Sequence, residues 1–92
     1  MDDPITFAID RAVSMGGSKW KVDGRAYLDV RVGDTLNIHG KEETAHRPFV
    51  VTAISAYGRE IPELSRGLTG SLIIEGENGD LLKDASALIR SN

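Results

Sequence analysis

Lys19-Trp20-Lys21, with Arg25 a few residues on, is the one place in this chain where an aromatic lies between cations. Such a set can stack a nucleobase on the indole while the charged groups neutralise phosphate. The competing use is structural: Trp20 packs over the end of a core while the lysine stems carry their charges to water. Just ahead, Gly16-Gly17 between Ser14 and Ser18 offers backbone amides that could cradle a phosphate, although a Gly-Gly pair more often serves only as a hairpin loop. Tyr57-Gly58-Arg59-Glu60 carries two residue types favoured as anchors of protein interfaces, Tyr57 and Arg59. It also reads as a plain turn with an exposed Arg–Glu pair.

His39 and His46 flank Glu42 and Glu43, donors that could ligate a metal. They fall in a polar loop that presents no regular face, so two solvated histidines are expected and no metal. A Ser-His-Asp set can be assembled on paper. Nothing marks a nucleophile elbow or an oxyanion hole, so no catalytic residue is assigned and the chain is not expected to be an enzyme.

The scaffold for these residues is small. Ninety-two residues fit a single domain, residues 1–92, with a radius of gyration of roughly 12 Å and little room for an enclosed cavity. Net charge is −3, which counts against a free-standing nucleic-acid binder, whose footprint is usually basic. There is no cysteine, which removes disulfides, thiolate zinc sites and a cysteine nucleophile. No long apolar run and no signal-like amino terminus are present, so a cytoplasmic location without membrane contact is expected.

Short runs of Val, Ile and Thr between ten glycines predict a β-rich chain. Ile5, Phe7 and Ile9 alternate with polar or small residues and predict a strand to about Val13. Lys19–Val22 reads as a short strand and Asp23-Gly24 as a tight turn. Arg25–Val32 reads as the clearest strand, resuming at Thr35–His39 after Gly33-Asp34. Val22, Ala26, Leu28, Val30, Val32, Leu36 and Ile38 all fall at even positions. The break at Gly33-Asp34 must therefore preserve parity, as a kink or bulge does and a one-residue slip does not. Asp34 is assigned to stabilising that turn, with Gly24, Gly33 and Gly67 as further turn residues.

Residues 40–48 form the longest predicted loop. FVVTAISAY (49–57) reads as a strand buried on both faces or on a barrel wall, GREIP as a turn and GSLIIEG (70–76) as a strand. Leu81–Ala85 reads as one helical turn before a strand over Ser86–Arg90. About seven short strands with turns every 8–12 residues predict a small closed or nearly closed antiparallel β-barrel with Greek-key-like order, since closure removes sheet edges.

GRAYLDVRVGDTLNI also resembles the signature of domain II in translational GTPases, the elongation factor Tu family. Gly24, Arg25, Val30, Val32, Gly33, Asp34, Leu36 and Ile38 match it. RGLTGSLIIEG resembles a later segment of that domain through Gly67, Ser71, Leu72, Ile73, Ile74 and Gly76, and KDASALI resembles its closing strand. The family's aspartate is Leu68 here, its later glycine is Ala85, and SMGGSKWK replaces the usual lead-in. No GxxxxGK[ST] sequence occurs, so no GTPase domain is present. In that family the barrel is a docking module. The resemblance implies a barrel of that type and a non-enzymatic binding role with no cofactor. A protein surface is the first expected partner, RNA or the ribosome the second, and a small ligand-binding barrel or enzyme the third. The expected contacts are Trp20, Lys19, Lys21, Arg25, Tyr57 and Arg59.

Overall fold

The structure, a computed structural model, describes residues 4–39, 48–77 and 79–91. It is all-β, and its radius of gyration is 11.7 Å. The strands are β1 (Phe7–Ser14), β2 (Lys19–Ala26), β3 (Val30–Arg31), β4 (Thr35–Ile38) and β5 (Phe49–Ala56). They continue as β6 (Arg59–Ile61), β7 (Glu63–Leu64), β8 (Thr69–Glu75) and β9 (Ala87–Arg90), with a 3-10 helix over Gly79–Asp84. Six strands in the order β4-β9-β1-β2-β8-β5 close through a β4–β5 pairing into an antiparallel barrel, and β6 adds to the far half of β5. β3 and β7 form a separate ribbon.

Alternation along each strand builds the interior. Trp20, Val22 and Ala26 of β2, Leu36 and Ile38 of β4, and Leu72 and Ile74 of β8 are buried, while their neighbours point outward. Val30 and Leu64 of the ribbon join the core near the Gly24 end of β2, and Leu82 of the 3-10 helix joins it near the Trp20 end. The long β1 and β5 each carry one bulge, at Asp10 and Thr52, which lets these strands bend around the wall.

Three local expectations are corrected. GREIP, expected as a turn, carries β6 at Arg59–Ile61, paired with Ile54–Ala56. Asp23-Gly24 is not a turn: both residues lie inside β2, which runs unbroken to Ala26. Gly24 is needed there because a Cβ would collide with the Ala8 carbonyl and sit 2.9 Å from Phe7 Cε2. Arg25–Val32 is not one strand. The chain leaves the barrel after Ala26 and pairs as β3 with β7, and Val32 is exposed.

Gly33-Asp34 does return the chain to the barrel with Leu36 and Ile38 inward. Gly33 takes a positive φ of 98°, and the Asp34 amide donates to the Arg31 carbonyl at 3.0 Å. The Asp34 carboxylate accepts the Arg31 amide at 2.9 Å and lies 3.4 Å from the Arg90 guanidinium, which also donates to the Asp29 carbonyl. Asp34→Ala removes this cap and the tie to β9 together. It is expected to cost about 1–2 kcal/mol in urea unfolding, with an unchanged m-value.

Candidate functional site

An extended polar row lies on the outer wall, where register aligns one residue from each of five strands. Arg11 faces Asp23, Asp23 faces Ser71, Ser71 faces Ser55, and Ser55 faces Glu60. At about 4.8 Å between strands, this row spans roughly 19 Å. Ser71 Oγ donates to Asp23 Oδ1 at 2.5 Å, and Arg11 approaches Asp23 Oδ2 at 3.5 Å. Asp23 is thus neutralised within the wall.

Asp23, Ser71, Ser55 and Glu60 of this row line an open groove of about 670 Å³, whose lining also includes Asp10, Tyr57, Arg59 and Thr69. Asp10 reaches it from the β1 bulge. Among the described residues, neither Asp10 nor Glu60 has an ion-pair partner. Tyr57 stands at the lip, 78% exposed. It occupies the β5–β6 turn with φ of 55°, followed by Gly58 at 77°, the pattern of a type I′ hairpin. That turn normally takes Asn or Gly at its first central position, because a Cβ in this region costs about 1–2 kcal/mol. Tyr57 holds the position against its own backbone preference.

The six residues expected to bind fall into two groups. Tyr57 and Arg59 line the groove, and Arg25 is exposed on the next row, opposite the lining residue Thr69. Trp20 is elsewhere. It is 4% exposed, faces the interior and packs so tightly on Gly79 that a Cβ there would overlap the indole. A base cannot stack on it. Lys19 and Lys21 alternate to the outer face, away from the ring. The cation near the indole is instead Lys83, 5.9 Å from the ring centroid. The Lys-Trp-Lys cluster is therefore divided between two sides of one strand.

No protein-family model, curated protein or solved structure matches this chain. A barrel alone does not settle function, since one architecture hosts many, so the site has to be judged on its own chemistry.

The remaining candidates are weaker. Gly16 and Gly17 form the β1–β2 hairpin turn with positive φ, and the Gly16 amide donates to Ser14 Oγ at 3.2 Å. The shallow depression beside them is lined by Glu77 and Asp80, and Ser18 bonds Glu75, so carboxylates oppose a phosphate there. His39 is exposed at the end of β4, while Glu42, Glu43 and His46 lie outside the described residues. Among the described residues, no three His, Cys, Asp or Glu side chains gather as metal ligands. No helix among them is long and apolar enough to cross a membrane. Gly67 takes a positive φ of 91° in the turn before β8, donating its amide to the Ala26 carbonyl.

Asp10, Asp23, Ser55, Glu60 and Ser71 carry no mark in the sequence as a set. They become neighbours only through strand register. The one legible sign was Tyr57-Gly58, an aromatic placed where a hairpin prefers asparagine.

Proposed function

We propose that this chain is a non-enzymatic binding module that recognises a protein surface through the groove over β2, β8, β5 and β6. The observation that carries the reading is the groove's lining: Asp10 and Glu60, carboxylates with no ion pair among the described residues, beside Arg59, with Tyr57 exposed at the lip. Carboxylates repel a phosphate backbone, which favours protein over RNA as the partner. Tyrosine and arginine at the edge of a polar depression are common interface anchors. The likeness to a docking domain of translation factors points the same way.

Catalysis has less to draw on. Asp23 and Glu60 are three strand spacings apart, roughly 14 Å, too far to act as an acid–base pair on one bond. Among the described residues, no histidine lines the groove to activate Ser55 or Ser71.

The test is affinity capture from native lysate with the wild-type chain and with Ser55→Arg, which fills the groove from its floor. A protein retained by the wild type, insensitive to nuclease and lost from a folded Ser55→Arg chain is the expected result. Capture that disappears on nuclease treatment would favour RNA, and equal capture by both chains would remove the groove from the function.

A further inference from the structure

We infer that the groove takes an extended cationic peptide segment of the partner, with two arginine or lysine side chains six residues apart. This deepens the binding-module reading and rests on it. Three observations converge on this partner. Asp23 is compensated by Arg11 and Ser71, but Asp10, beside Arg11 at one end of the row, and Glu60 at the other form no ion pair among the described residues. Arg59 also lines the groove, but among the described residues no ion pair joins it to Glu60. Arg25 stands one row beyond, opposite Thr69.

The two uncompensated carboxylates therefore sit at opposite ends of a row whose middle is the hydroxyl pair Ser71 and Ser55. An extended segment advances about 3.3 Å per residue and presents alternate side chains to one face. Residues i and i+6 then lie on one face about 20 Å apart, which matches the roughly 19 Å between the ends of the row. Its intervening backbone passes over the serine hydroxyls, which can donate or accept. Tyr57 at the lip adds an aromatic face on which one cation can lie. An anionic partner would meet the same carboxylates at both ends.

Tyr57 separates a binding role from a structural one. Asn at position 57 relieves the turn, so Tyr57→Asn is expected to raise Tm by about 4 °C while weakening the ligand. Tyr57→Phe keeps the ring and the strain and is expected to change neither Tm nor affinity more than slightly.

The probes are three labelled ligands titrated by fluorescence anisotropy at low salt against the full chain. They are the nonapeptide Gly-Arg-Ser-Gly-Gly-Gly-Ser-Arg-Gly, its counterpart with glutamate replacing both arginines, and an oligouridine. The arginine peptide is expected to bind at least tenfold more tightly than the other two and to weaken as salt rises. Its affinity is expected to fall about fivefold or more in Tyr57→Asn and in the pair Asp10→Asn with Glu60→Gln. Equal binding of the two peptides, tighter binding of oligouridine, no binding of any probe, or indifference to these substitutions would overturn the cationic partner. If Ser55→Arg still abolishes protein capture while the arginine peptide does not bind, only this inference falls. If capture is also indifferent to Ser55→Arg, the binding-module reading falls with it.

Discussion

Gly24→Ala is expected to lose about 3 kcal/mol or more of stability. The residue sits beside the Asp10 bulge, where β1 presses its Ala8 carbonyl against β2. A Cβ would overlap that oxygen and stand 2.9 Å from Phe7 Cε2. Neither neighbour can yield cheaply. The carbonyl is backbone, and Phe7 is fully buried and paired with Leu88 of β9. Relief requires β1 and β2 to part at the point where β1 also holds β9, so the damage reaches two interstrand seams. Overpacking usually costs about 1–3 kcal/mol, and backbone rather than side-chain collision places this site at the upper end. A domain of this size holds roughly 5–14 kcal/mol in all, so the variant is expected to unfold at much lower urea. A midpoint within experimental error of the wild type would show that the bulge absorbs the methyl group.

Trp20→Ala is the second large effect, at about 3–5 kcal/mol. The indole fills the barrel end between Ile74's strand and the 3-10 helix, with Gly79 lying directly on it. Removing it leaves a cavity that the helix cannot refill, because Leu82 is already buried in the same core. Trp20→Phe, which keeps most of the packing, is expected to lose less than half as much. Because Trp20 is the only tryptophan, its emission reports the outcome directly. The native chain should fluoresce at short wavelength, resist acrylamide quenching and shift to longer wavelength in urea. Occupying the groove on the outer wall should leave that emission unchanged. A ring readily quenched in the native state would return Trp20 to the surface and restore the base-stacking expectation.

The contrast between Trp20 and Tyr57 shows what was legible in the residues and what was not. Strand periodicity marked β1, β5, β8 and β9 closely, because each alternates or runs apolar between turn residues. The same parity placed Trp20 inward with Val22, Gly24 and Ala26, yet the flanking lysines drew attention to the ring as a binding surface. Parity was the stronger signal, and it puts the lysines and the indole on opposite sides. Asp23-Gly24 looked like a hairpin because that dipeptide usually supplies positive φ. Here the glycine serves close approach instead, which depends on a strand sixteen residues earlier. The groove row was out of reach for a different reason. Its five members belong to five strands, and only register brings them side by side.

The place of β9 between β1 and β4 has a consequence for how the molecule comes into being. β1 pairs with β9 at Phe7–Leu88 and Ala8–Ala87, while β4 needs β9 at Leu36, Asn37 and Ile38. A chain emerging from the ribosome can form the β1–β2 hairpin early and add β8 to it. Two strand edges then stay open until residues 87–90 arrive, so the wall is sealed in a single late step. During synthesis the nascent chain carries those edges exposed, and the timing of that last short strand sets how long it must be kept from its neighbours.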